Sequence, residues 1–98
     1  MAPFVQIVHY QTSRVGEVEA LEKEMRDRQA DTSGRRGLVT ADRDHPDHYF
    51  VIVEFESYEA AMANSNSPDI MEFSSKMMQL CDGPPTFYNL DVIRSWPE

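Results

Sequence analysis

Hydrophobic and polar positions along the chain alternate or cluster in a pattern that predicts strands and helices in turn. The strongest signal is the run HYFVIVEFE at residues 48–56, where β-branched Val51, Ile52 and Val53 favour a pleated strand. Apolar side chains point to both faces of this segment, so we predict a central strand that is covered on both sides. The run FVQIVHYQ at residues 4–11 has the same two-sided character and is predicted to be another interior strand.

The segment after the first strand is charged and amphipathic, which predicts a helix over residues 16–30. Its apolar stripe consists of Val18, Leu21 and Met25. Residues 31–37, DTSGRRG, are predicted to form a loop, and residues 38–43 a short edge strand. The turn DHPD then joins this edge strand to the central strand as a hairpin.

A second helical region follows the central strand and is divided in two. Ser57 is a suitable N-cap for the first part, and the sequence NSNS at residues 64–67 interrupts the helix. The Ser67-Pro68 pair then restarts it as N-cap and first helical residue. Gly83 is predicted to end the helix at the C′ position, since glycine is the common residue there.

The last strand is predicted over residues 86–94, which gives the order β-α-β-β-α-β. This is the order of a ferredoxin-like α+β fold with one antiparallel four-stranded sheet, in which the first and third strands are central. Two helices cover one face of such a sheet and leave apolar side chains exposed on the other. We therefore predict a homodimer whose sheets pack face to face as a dimeric α+β barrel, with Trp96 in the tail lying against the partner.

Composition narrows the classes of function. A chain of 98 residues with 41% hydrophobic residues is expected to form one domain, residues 1–98, with no signal peptide and no membrane-spanning run. The net charge of −8 argues against partners such as nucleic acid or an anionic membrane. Arg35 and Arg36 are interpreted as solvated loop residues rather than an anion site. The single cysteine, Cys81, fits a cytoplasmic location.

The stretch DHYFVIVEFESYEAAMANSNSPDI carries a family resemblance. An apolar strand ends in the aromatic Phe55 and the cap Ser57, a helix with Glu59-Ala60 follows, and small residues at 64–67 precede the Ser67-Pro68 restart. This pattern resembles the signature region of the antibiotic biosynthesis monooxygenase (ABM) family of dimeric α+β barrel proteins. Together with the element order, the resemblance covers nearly the whole chain. It implies a monooxygenase that acts on a small aromatic phenol or quinol without flavin, metal or haem.

Several positions depart from patterns within that family. Where many members place histidines before the helix break and after the Ser-Pro pair, this chain has Asn64 and Asp69, and Phe55 replaces a strand-end tryptophan. The haem-degrading branch of the family is expected to have an asparagine on the first strand, a helical tryptophan and a haem-ligating histidine. At the matching positions this chain has Val8, Asn64 and Phe73. None of these side chains would ligate iron, so haem degradation is not expected.

Three residues are candidate catalytic groups. His9 lies on an interior strand, where it could act as a general base or be a hydrogen-bonded histidine in the dimer core. Glu54 shares a strand face with Ile52, so we expect it to be partly buried, either as a base or as a structural partner of Arg94. Asn64 lies at the helix break, where it could line a pocket mouth or cap the helix.

The predicted substrate-binding residues are strand tyrosines, an amide at the helix break and apolar residues of the second helical region. They are Tyr10, Asn66, Phe73, Met77 and Tyr88. The turn DHPDH at residues 44–48 carries metal-capable side chains, but a hairpin tip presents them to water, and we interpret it as a solvated turn without metal.

Two further functions stay open at this point. The same scaffold could be a non-catalytic binding module for an apolar or aromatic metabolite, which the missing histidines and the methionine-rich second helical region favour. A pocket lined only by apolar groups, with His9 and Glu54 held elsewhere in structural bonds, would select that function. The chain could also be a purely structural dimer, which the absence of a cavity would indicate.

Overall fold

The computed structural model describes residues 3–28 and 36–97 of the chain. Its elements follow the predicted order, and the second helical region is divided into two helices at residues 66–67, as the NSNS sequence indicated. The elements are β1 Phe4–Gln11, α1 Val15–Arg28, β2 Arg36–Ala41, β3 His48–Phe55, α2 Tyr58–Ser65, α3 Pro68–Leu80 and β4 Thr86–Asp91. The four strands form one antiparallel sheet in the order β2-β3-β1-β4, so the prediction that β1 and β3 are central is confirmed.

Both edge strands have bounds that differ from the prediction. β2 starts at Arg36, because Arg36 pairs in register with Glu54, and the interpretation of this arginine as a loop residue is wrong. Residues 31–35 of the predicted loop lie outside the described residues. β4 ends at Asp91 rather than residue 94, because Asp91 is opposite Phe4, where β1 begins, and no strand residue remains to pair with.

Local caps start the two helices of the second helical region, whereas a contact with β1 accompanies its end. Ser57 and Ser67 are the N-caps of α2 and α3, as predicted. The prediction for Gly83 is wrong, because α3 ends at Leu80 and its C-cap, Cys81, has an extended backbone. The next residue, Asp82, donates its N–H to the carbonyl of Gln11 at 2.8 Å, so the end of β1 draws the chain away from the helix.

The helices cover one face of the sheet, and two groups of side chains form the core there. Near the start of β1, Phe4 and Phe55 are buried with Ala61 of α2. Near the end of β1, the buried residues are Tyr10, Val18 and Met77, and partly buried apolar residues surround them. None of the helices in the described part of the chain is long and apolar enough to cross a membrane.

The other face of the sheet carries no helix. Its central positions on β1 and β3 alternate with the core residues and include Val5, Ile7, His9, Phe50 and Ile52. Its flanks on the edge strands are exposed, with Leu38 at 52%, Tyr88 at 45% and Leu90 at 43%. We call this surface the open face.

Candidate functional site

A groove of about 750 Å³ lies where the sheet, α2 and the segment after β4 meet. Its lining residues are Pro3, Val5, Glu54, Phe55, Glu56, Ala60, Ala63, Asn64, Val92 and Ser95. The volume falls within the range of sites that bind small molecules. Its walls are largely apolar, with two carboxylates, one amide and one hydroxyl as polar groups. It is therefore a candidate ligand site.

The helix α2 supplies one wall of this groove. The Ser57 side chain accepts the N–H of Ala60 at 3.1 Å and thereby starts the helix at Tyr58, three residues after β3 ends. Ala60, Ala63 and Asn64 are spaced at i, i+3 and i+4, so they share one side of the helix and face the groove. Ala61 lies on another side and is fully buried in the core, which fixes the rotation of the helix.

Glu54 and Glu56 supply the charged part of the groove. Glu54 pairs in register with Val5 on β1, and both residues line the groove. The expectation that Glu54 is partly buried is wrong, because its side chain is exposed in the protomer. In the described part of the chain, Glu54 and Arg94 form no ion pair, so the structural pairing that the sequence left open is not seen in the protomer.

Asn64 also lines the groove, as the position of the helix break suggested. It is half-buried, and its backbone carbonyl accepts the N–H of Ser67 at 3.1 Å where α2 gives way to α3. The helix break therefore places the Asn64 side chain at the groove while its backbone stabilises the turn. Two of the three predicted catalytic residues, Glu54 and Asn64, line the same groove.

The third, His9, lies elsewhere. Like Glu54 it is on the open face, but it lies near the other end of the β1–β3 pair, where its Nε2 atom is 2.9 Å from Nδ1 of His48 and the two rings share a hydrogen bond. The His9 ring also stacks on Phe50 with the ring centroids 4.6 Å apart. His9 is four residues along β1 from Val5, a separation of about 13 Å, which keeps it away from Glu54 within one protomer.

Three of the predicted substrate-binding residues belong to the core instead of the groove. Tyr10 and Met77 are buried, and Phe73 packs against them. Burial and the neighbouring Glu22 carboxylate raise the pKa of Tyr10, whose hydroxyl donates to Glu22 Oε1 at 3.5 Å. The small crevice beside Phe73, between α1 and α3, has a volume of about 10 Å³, which holds at most one water molecule.

The other two predicted substrate-binding residues are also outside the groove. Asn66 is exposed, and its backbone N–H donates to Met62 as part of the α2 C-cap. Tyr88 lies on the open face opposite Ile7. The tertiary structure therefore separates residues that the sequence placed in one pocket.

The DHPDH turn is held by hydrogen bonds of its own. The Asp42 carboxylate just before it accepts the backbone N–H of Asp44 at 2.9 Å and lies 3.1 Å from Nδ1 of His45. The Asp44 N–H is the main reason why the pKa of Asp42 is below its usual value, and His45 adds to the effect. Among the described residues, no three His, Cys, Asp or Glu side chains are grouped closely enough to hold a metal ion.

Sequence reasoning missed part of the groove. Glu56 was not selected, although its spacing from Glu54 is the signal that could have found it, because residues two apart on a strand share a face. For Ala60 and Ala63 the sequence indicated helix formation but not a position in the groove. Val92 and Ser95 could not be predicted, because their position depends on where β4 ends against β1.

Comparison with solved structures identifies the fold. SnoaB from Streptomyces nogalater, described as a cofactor-independent oxygenase, superposes with a TM-score of 0.83 at 14% sequence identity over 100% of both chains. The chain has the fold of the antibiotic biosynthesis monooxygenases. A structure described as an antibiotic biosynthesis monooxygenase shares this monooxygenase fold with a TM-score of 0.77 at 13% identity, over 93% of this chain and 99% of that one.

A further structure with the monooxygenase fold is that of Rv0793 from Mycobacterium tuberculosis. Its TM-score is 0.81 at 15% identity, over 97% of this chain and 99% of that one. No protein-family model matches the sequence. No curated protein matches it either. The resemblance seen in the sequence is thus confirmed as a shared fold that extends over the whole domain.

Proposed function

We propose that this protein is a cofactor-independent monooxygenase that oxidises a small phenol or quinol bound in the groove. The observation that carries the proposal is that Glu54 and Asn64 line one groove of suitable size within the monooxygenase fold. SnoaB, which has this fold, is itself described as a cofactor-independent oxygenase. A single cytoplasmic domain made of residues 1–98 is part of the same proposal.

The proposed chemistry needs a deprotonated, electron-rich substrate. The substrate anion gives one electron to O₂, and the resulting radical and superoxide combine into a peroxide at carbon. The peroxide takes back the proton that the base removed. Because its carbon still bears a hydrogen, loss of water leaves a carbonyl group there, so that one oxygen atom enters the product and the other leaves as water. The protein contributes by removing the first proton and by stabilising the anion that results.

We assign these two tasks to the polar groups of the groove. Glu54 is an exposed carboxylate at the end of β3, where it can accept the phenolic proton. The Asn64 amide can donate a hydrogen bond to the phenolate oxygen, since an amide nitrogen carries two donors. His9 is assigned a structural role, because its Nε2 already forms a hydrogen bond to His48 on the open face.

We also propose that the protein works as a homodimer formed through the open face. Four strands of six to eight residues give this face a planar area of roughly 400 Å². That is about half of the 800 Å² per subunit that a stable interface usually buries. The tail carries Ile93 and Trp96, which are 89% and 86% exposed, and these side chains would supply additional contact with the partner.

Oxygen consumption with a panel of hydroquinones and anthrones tests the enzymatic proposal. We expect turnover above the uncatalysed rate, and a fall in kcat of about 100-fold in Asn64→Ala and in Glu54→Gln. Asn66→Ala is the matched control, because it removes the same side chain two residues away, outside the groove. Its kcat should stay within about threefold of the parent protein, since surface substitutions of this kind have small effects.

Parent-like kcat values in both groove variants would place the chemistry outside the groove and overturn the proposal. The second candidate function, a binding module, is favoured by the position of His9, which is held in a structural bond away from the groove. Saturable binding of the aromatic panel without any oxygen consumption would select that function. The size of the groove argues against a purely structural dimer without a pocket.

A further inference from the structure

The two carboxylates of the groove flank a buried residue at the end of β3. Phe55, between Glu54 and Glu56, is 4% exposed and packs with Phe4 in the core. Because successive residues of a strand point to opposite faces, burial of Phe55 directs Glu54 away from the core, and Glu56 follows at a bend just after the strand. Both are exposed, and both line the groove.

No cationic side chain lines the groove, whose lining residues include two glutamates and neither lysine nor arginine. Arg36 of β2 lies opposite Glu54 in the sheet, but no ion pair joins the two in the described part of the chain, and Glu56 has no such neighbour in the strand register. None of the ion pairs in the described part of the chain involves Glu54 or Glu56. The chain as a whole carries a net charge of −8, which adds to the negative potential. A concave site with apolar walls concentrates such a potential at the position of the ligand.

We infer that Glu54 and Glu56 determine the charge of the ligand: the groove accepts neutral or ammonium-bearing aromatic molecules and rejects those that carry a carboxylate. The inference deepens the proposed function, because it rests on the groove being the ligand site. Glu56 serves only this selection, whereas Glu54 also takes part in the proposed proton transfer and is neutral while it holds the phenolic proton, so that the phenolate then faces one carboxylate instead of two. The apolar walls bind the aromatic ring, which is the part of the ligand that all three classes share.

Three probes of similar size separate charge from shape: 2-naphthol, 2-naphthoate and 2-naphthylmethylamine in its protonated form. Their dissociation constants can be measured by calorimetry at low salt. We expect the ammonium probe to bind about tenfold more tightly than the carboxylate, since each exposed charge pair contributes a few-fold. At roughly 0.5 M salt the difference should shrink to about twofold, because charges in contact with water are screened.

Glu56→Gln tests the assignment to a residue. It should reduce the preference for the ammonium probe about threefold and leave naphthol binding unchanged, and Glu56→Lys should reverse the preference. Glu59→Gln is the matched control, because it removes the same charge from an exposed position three residues away that does not line the groove. It should keep the parent preference.

The possible failures of the two proposals can be told apart. Equal affinity for the ammonium and carboxylate probes, with naphthol still bound, overturns the inference and leaves the proposed oxygenase intact. An equal loss of preference in Glu56→Gln and Glu59→Gln also overturns it, since the effect would then come from net charge. Failure of all three probes to bind overturns the inference together with the groove as the ligand site. Oxygen consumption without binding in the groove would then show that the chemistry lies elsewhere.

Discussion

His9 and His48 are joined across the central strand pair, with His9 Nε2 2.9 Å from His48 Nδ1 and the two rings stacked at a centroid distance of 5.1 Å. One of the two nitrogens must donate and the other accept, so the pair needs at least one neutral ring. The contact ties the end of β1 to the start of β3 on the open face. A residue that looked catalytic on the strand is thus part of the sheet surface.

A double-mutant cycle measures this contact. We expect His9→Ala and His48→Ala to have a coupling free energy of about 0.5–1.5 kcal/mol, because each single variant already loses the shared hydrogen bond. The cycle is read from denaturant unfolding at one fixed protein concentration. His45→Ala combined with His9→Ala is the control, since His45 contacts His48 but has no described contact with His9. Strictly additive effects in the first cycle would contradict a stabilising bond.

The buried Tyr10 should make the protein sensitive to alkali. Burial and the Glu22 carboxylate raise its pKa in the folded state above the usual value of 10.0. Tyr10 therefore contributes stability that is fully present below pH 10.0 and is lost as the pH rises through the folded-state pKa. Tyr10→Phe should show a shallower loss of unfolding free energy above that pH, by about one proton.

Tyr58→Phe is the control for this experiment, because the Tyr58 side chain is 52% exposed. Its stability should have the pH dependence of the parent protein. Equal slopes for Tyr10→Phe and the parent protein above pH 10.0 would contradict the prediction. Thermal unfolding followed at a series of alkaline pH values provides the measurement.

Ser57 should be the residue that sets the start of α2. Its side chain accepts the N–H of Ala60, and the residue is 7% exposed. Ser57→Ala should lower the unfolding free energy by about 1 kcal/mol, since the cap is lost and no water replaces it easily. Ser74→Ala, at an exposed position within α3, should change it by less than about 0.5 kcal/mol. Equal effects in the two variants, measured by urea unfolding, would show that the cap is unimportant.

Adjacent residues of β4 test the proposed dimer. Phe87 and Tyr88 are similarly exposed, at 55% and 45%, but Tyr88 lies on the open face and Phe87 on the helix side. We expect a dimer at micromolar concentration by sedimentation velocity. Tyr88→Asp should convert it to a monomer, because a carboxylate would have to be buried without a partner, and Phe87→Asp should remain dimeric. A folded parent protein that sediments as a monomer would contradict the proposal.

The sequence by itself determined the elements, their order and the two-sided character of the central strands. Apolar residues on both faces of β1 and β3 predicted that these two strands are central, and the strand order confirms it. The sequence also predicted the helix starts at Ser57, Ser67 and Pro68, because N-caps and the first helical position depend on bonds within a few residues. Such local chemistry needs no tertiary information.

Tertiary structure decided the ends of the elements and the composition of the groove. Gly83 was expected to end α3, but the bond from Asp82 to Gln11, 71 residues away in the sequence, ends it earlier. Val5, Glu56, Asn64 and Ser95 meet only because the strand register and the fold bring four separate segments together. Residue type alone could not show that Tyr10 is a core residue and not a groove residue, because an aromatic side chain suits a core and a ligand site equally well. Which of the two it joins depends on the face of the strand that the helices cover.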